Sequence, residues 1–237
     1  MEGILRGGIH QSMFKIIWIG AFTVLGVLLG NGAVYVFNRL PASWLCDYGE
    51  VPKEDLLMRQ RINSTPWKVI FSCLLVACGV YLGASDPMYA AAAILLIWFL
   101  ILISIADAKY MIVPDQLCVM AALCSIGFIN YHESPLDMLY GALAGGLVML
   151  AAAAAGRFVS KKDTLGTGDV KLMASLGFVL GFHGTVICII GASILSAMAF
   201  SLLILWKKIS MKDYQPLGPY ISASAVIYIL VIWPAGW

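Results

Sequence analysis

Long apolar runs divided by short polar breaks leave this chain few ways to fold. The first run extends from Phe14 to Phe37, and seven more follow, at 69–84, 88–106, 117–131, 136–156, 171–182, 185–205 and 219–233. A segment of about 20 apolar residues crosses a bilayer as a helix. Only helices and closed barrels satisfy their backbone polar groups in lipid. Breaks as short as "GASDP" (83–87) and "FHG" (182–184) suit helical hairpins, because Gly, Ser, Asp and Pro supply turn chemistry. The expected fold is therefore an all-α, polytopic bundle of about eight membrane helices in a single membrane domain spanning 1–237. The sixth run is short for a crossing of about 30 Å; it must be shielded by neighbours or begin within the membrane.

Composition agrees. Of the 237 residues 61% are hydrophobic and 12% charged, where a soluble domain carries about a quarter charged. A net charge of +2 gives no footing for nucleic acid. The first apolar run is too long for a cleavable signal core and lacks a small-residue cleavage site after it.

The basic residues are distributed asymmetrically. Arg39, Lys53, Arg59, Arg61 and Lys68 fall in the first long break and Lys109 in the third. Arg157, Lys161, Lys162 and Lys171 fall in the fifth, and Lys207, Lys208 and Lys212 in the seventh. In an eight-span arrangement these 13 of 15 Lys and Arg share one side, and the breaks at 84–87, 131–135 and 182–184 carry none. The positive-inside rule places that side in the cytoplasm and both termini outside, with Arg6 and Lys15 as mild counter-evidence. Small-residue stretches, "YGALAGG" (140–146) and "AAAAAG" (151–156), are expected to let helices approach closely.

Carboxylates at a membrane edge are costly and are read as functional by default. Asp107 ends the third run, Asp115 precedes the fourth, and Asp169 precedes the sixth; Asp163 lies farther from the apolar edge. For Asp169, and for Asp115 after Pro114, the bland alternative is a helix N-cap. Asp107 has no such excuse, since a carboxylate at a helix C-terminus opposes the macrodipole. Asp107 and Asp169 at similar depth form a pair able to share one proton. One would act as general base on water while the other, protonated, polarises a scissile carbonyl. His10, His132 and His183 fall on the other side and take no part.

These residues carry a family resemblance. "GTGDVKLMASLGFVLG" (166–181) resembles the GxGD signature of type IV prepilin peptidases, and "DAKYMIVPD" (107–115) resembles that family's other aspartate motif. "PLGPY" (216–220) and "RLP" (39–41) resemble two further stretches, in the same order along the chain. The resemblance implies a membrane aspartic endopeptidase that removes basic leaders from prepilins or pseudopilins at the cytoplasmic membrane face. It maps the catalytic pair onto Asp107 and Asp169, with Gly166, Gly168, Lys171, Pro114 and Asp115 as supporting or substrate-binding positions. Proteolysis of this kind needs no cofactor, and the expected partners are the prepilin substrate and the bilayer. The peptidase motifs fall within 104–237.

The chain departs from the family pattern in the reduced loop 38–68, which holds one cysteine, Cys46, instead of paired CxxC motifs. A zinc site built on cysteines alone needs four thiolates, so no zinc or other metal is expected. Val34 stands where the family has Asn. S-adenosylmethionine-dependent methylation of the mature pilin, which many relatives perform, is thereby placed in doubt and left open. Two other readings compete: a small transporter using aspartates as proton or ion relays, and a non-catalytic assembly factor of a pilus or secretion system. Acids at one face, and no convincing internal repeat, disfavour the transporter.

Overall fold

The computed structural model describes residues 2–46, 54–58, 60–160, 166–207 and 215–236. Lys53, Arg59, Lys161, Lys162, Asp163, Lys208 and Lys212 lie outside the described residues. Among the described residues there is no strand, and all eight apolar runs are helical. The elements are α1 (Glu2–Arg39), α2 (Glu54–Leu57), α3 (Trp67–Gly83), α4 (Pro87–Tyr110), α5 (Asp115–Leu123), α6 (Pro135–Ser160), α7 (Thr167–Leu205) and α8 (Gly218–Ile227). A short 3-10 turn covers Ala42–Trp44; α5 runs on as 3-10 turns through Tyr131, and α8 as a π-turn through Ile232. Four stretches are long and apolar enough to cross a bilayer: Met13–Arg39, Pro87–Tyr110, Pro135–Phe158 and Thr167–Leu205. The chain is a polytopic all-α membrane protein.

The breaks work through local chemistry. Pro87 and Pro135 stand at first helical positions, where a missing N–H costs nothing. Ahead of α4, Asp86 Oδ1 accepts from the N–H groups of Met88 (2.9 Å) and Tyr89 (3.1 Å), capping the helix.

The chain forms two compact units. The first comprises residues 1–40 and 58–98. Within it, Asn38 at the end of α1 ties down the segment before α3. Its Oδ1 accepts from the N–H groups of Arg61 (2.7 Å) and Ile62 (2.9 Å), and its Nδ2 donates to the Ile62 carbonyl (3.2 Å). Arg61 adds a bond from Nη1 to the Phe37 carbonyl, 3.2 Å. Trp98 donates its indole N–H to the Leu29 carbonyl at 2.9 Å.

The second unit comprises residues 41–57 and 99–237. Its core contains Leu102, Ile103, Phe128, Leu172, Leu176, Val179, Cys188, Ile221 and Ile229, all almost fully buried. α6 and α7 pack backbone to backbone. A Cβ on Gly141 would overlap the Gly177 carbonyl, and a Cβ on Gly177 the Gly141 carbonyl. The "YGALAGG" stretch therefore does what was expected of it. "AAAAAG" does not: Ala151, Ala152, Ala154 and Ala155 are exposed, while the preceding turn of α6 also turns Leu147 and Leu150 outward. Alanine makes a helix cheap but does not decide which face meets a neighbour.

The sixth and seventh runs are two halves of α7, broken not at 182–184 but at Gly181, whose φ of 67° and ψ of −178° suit only glycine. A break frees backbone groups on both sides, and two side chains take them up. Asp137 Oδ1, in the first turn of α6, accepts the Phe182 N–H at 3.1 Å. His132 Nε2 lies 2.9 Å from the Val179 carbonyl, and its Nδ1 lies 3.1 Å from Asp137 Oδ2.

Candidate active site

Asp107 and Asp169 are 62 positions apart in sequence, yet both are buried, 5% and 8% exposed, and both line one cavity of about 660 Å³ in the second unit. Its walls come from four segments: the end of α4 with residues 111–114, the first turn of α5, the first turns of α7, and the 3-10 turn and following residues at 42–46.

Asp107 occupies the last turn of α4. That helix closes with the Met111 N–H on the Asp107 carbonyl (2.8 Å) and with Met111 at φ 55°. This is a left-handed terminus more usual for glycine, and it turns the chain sharply into the Ile112–Pro114 wall. The Asp107 carboxyl accepts the backbone N–H of Gly218, with Oδ2 at 2.7 Å. Gly218 opens α8 and belongs to the "PLGPY" stretch.

Asp169 is the third residue of α7, with Gly166 in the capping position. Its own N–H reaches the Gly166 carbonyl at 3.2 Å. The carboxyl is thus not the N-cap, and its Oδ1 is buried without a hydrogen-bond partner. Asp115 is likewise inside its helix, since Pro114 stands at the cap of α5 without a side-chain bond. The carboxylate of Asp115 is instead held by Lys171.

Neither signature glycine has an unusual backbone angle, and only the second is required by its surroundings. Gly166 has φ −71° and ψ 143°, open to any residue. Gly168 is needed for room: a Cβ there would stand 2.8 Å from Val113 Cβ. α7 can therefore start against the wall that follows Asp107, and this brings the two acids into one cavity.

The structure gathers Asp107, Asp169, Gly166, Gly168, Lys171, Asp115 and Pro114 around the same cavity. Sequence reasoning gave no role to Gly218, Ser43, Trp44 or Cys46, which also contribute. Two signals were present: the "PLGPY" stretch, and the position of Cys46 outside every apolar run.

Residues 94–202 match the sequence profile of the type IV leader peptidase family. The chain is 31% identical over 161 residues to the prepilin leader peptidase/N-methyltransferase of Aeromonas hydrophila, covering 67% of this chain and 55% of that protein. The chain belongs to the type IV leader peptidase family. A second relative, the prepilin leader peptidase/N-methyltransferase of Bacillus subtilis, is 27% identical over 168 residues, 69% of this chain and 64% of its own length. The chain thus spans less than two thirds of either relative. No solved structure matches it. Within this family member, the profile includes both aspartates but stops short of Gly218 and begins after Trp44.

Proposed function

We propose that this protein is a membrane aspartic endopeptidase that removes the basic leader from type IV prepilins or pseudopilins at the cytoplasmic membrane face. The reading rests above all on two buried carboxyl groups, from distant segments, lining one cavity at the ends of apolar helices. Like charges so placed do not both ionise readily, and the pair holds one proton.

The chemistry follows from that shared proton. The ionised carboxylate takes a proton from water as the water oxygen bonds to the scissile carbonyl carbon. The protonated partner gives its proton to the carbonyl oxygen, leaving a neutral tetrahedral gem-diol. The C–N bond then breaks as the amine nitrogen receives a proton from the first acid and the second regains its own. Every step uses Asp107, Asp169 and water.

The basic breaks support the orientation, because Lys109 and Lys171 stand two residues from Asp107 and Asp169 at the ends of the helices that carry the acids. A basic leader would be drawn to the negative charge that Asp107 and Asp169 keep between them, Asp115 being paired with Lys171. Methyl transfer is not part of this reading. The relatives' names include N-methyltransferase, but loop 38–68 has one cysteine where a zinc site of the all-cysteine kind needs four thiolates. No three His, Cys, Asp or Glu among the described residues gather as a metal site.

The test is co-expression with a prepilin, followed by mass measurement of the product's N-terminus. A leader-free N-terminus is expected. An uncut prepilin alongside a correctly inserted protein would remove the proposal, and an added methyl mass would restore the second activity.

A further inference from the structure

Gly218 carries the inference. Four N–H groups at the start of a helix have no partner within it. In α8, Tyr220 and Ile221 donate back to the Leu217 carbonyl at 3.0 and 3.1 Å. Pro219 has no N–H. Gly218 is the remaining donor of that turn, and it spends its N–H on Asp107 Oδ2, 111 positions away in sequence, at 2.7 Å in a buried setting. The approach is open only to glycine: a Cβ on residue 218 would stand 2.7 Å from that oxygen and 3.1 Å from Asp107 Cγ. Asp169, in the same cavity, has a backbone partner only in its neighbour Gly166, and its Oδ1 is buried with no donor.

The two acids are therefore unequal. A backbone N–H aimed at a carboxyl oxygen favours the ionised form. An unpartnered oxygen in a buried site favours the form that carries a proton. We propose that Gly218 is a positioning residue whose N–H holds Asp107 as the water-activating base, leaving Asp169 as the acid that protonates the scissile carbonyl. This assignment rests on the peptidase reading and adds direction to it: water's proton goes to Asp107, and the carbonyl oxygen's proton comes from Asp169.

The sharpest test replaces Gly218 by glycolic acid through nonsense suppression, which exchanges the amide for an ester and deletes the N–H without adding a Cβ. The reactions to follow are prepilin cleavage by the full-length protein in nanodiscs, with kcat, KM and the pH profile recorded. Loss of one hydrogen bond to a charged group predicts a fall in kcat of about tenfold to a hundredfold. KM should be unchanged and the acidic limb of the profile should move to higher pH. Gly218→Ala, which pushes on Asp107, should lose more. A second measurement needs no change at 218: the infrared band of a protonated carboxyl should vanish in Asp169→Asn and persist in Asp107→Asn. Wild-type kcat and pH profile in the ester protein would overturn the assignment, as would a band that survives in Asp169→Asn and vanishes in Asp107→Asn. If the unaltered protein leaves prepilin uncut, the peptidase reading falls and takes the assignment with it; normal cleavage by both proteins sinks the assignment alone.

Discussion

Lys171 Nζ sits 2.8 Å from each carboxylate oxygen of Asp115, joining the second turn of α7 to the first turn of α5 at the rim of the cavity. Both side chains are partly exposed, at 46% and 33%, so the pair contributes to stability on the order of 0–1 kcal/mol. Asp115→Asn retains a hydrogen-bond acceptor for Lys171 and should slow prepilin cleavage only a few fold, with a thermal midpoint within a few degrees of the parent in detergent. Complete loss of cleavage by a normally inserted Asp115→Asn protein would move Asp115 into the reacting group.

Asp107→Asn and Asp169→Asn should each abolish leader removal while insertion and expression stay normal. An amide neither accepts water's proton nor donates an acidic one at the carbonyl. Gel mobility of a co-expressed prepilin reads the outcome, and cleavage retained by either variant excludes that aspartate from the mechanism.

The shared proton gives a two-sided pH dependence. At low pH both carboxyls are protonated and no base remains; at high pH both are ionised and no acid remains. Cleavage in nanodiscs should rise and then fall with increasing pH, because only the singly protonated pair is competent. A rate that climbs steadily to a plateau at high pH would contradict a protonated partner.

The break in α7 should be sensitive to change even though it lies 12 residues from Asp169. Gly181→Ala puts a β-carbon into the space of the Asp137 carboxyl at a backbone angle only glycine accepts. It should cost about 1–3 kcal/mol for the backbone alone. Asp137→Ala strands the Phe182 N–H and removes a neighbour of the buried His132, for about 1–3 kcal/mol. Unfolding midpoints in detergent check both, and a parent-like midpoint for Gly181→Ala would argue against the observed break.

Gly177→Leu should separate α6 from α7, because the Gly141 backbone already occupies the space a side chain would need. The expected readout is a sharp fall in yield of folded, monodisperse protein.

The helices were legible in the sequence because lipid imposes one rule, continuous apolarity, and that rule leaves a plain trace. Asp107 and Asp169 were legible for the converse reason: a charge at an apolar edge stands out. The break in α7 was read one residue late, since "FHG" looks like a turn while the decisive event is a backbone angle at Gly181. "AAAAAG" misled because small residues permit close packing without requiring it. The "PLGPY" stretch marked the place of Gly218 but not its role, because its contribution is a main-chain N–H, which every residue except proline possesses. Ser43 and Trp44 reach the cavity by the path of the chain, which no local pattern announces; only Cys46, outside every apolar run, hinted at it.

The wall of the cavity and the support of Asp107 draw on segments on either side of the family stretch. Residues 94–202, the stretch shared with the family profile, contain both acids but neither Trp44 nor the N–H of Gly218. A fragment trimmed to that stretch would keep the two reactive groups and leave one unmoored in a chamber missing part of its side. Swapping this stretch alone between relatives would therefore transplant the acids without their support.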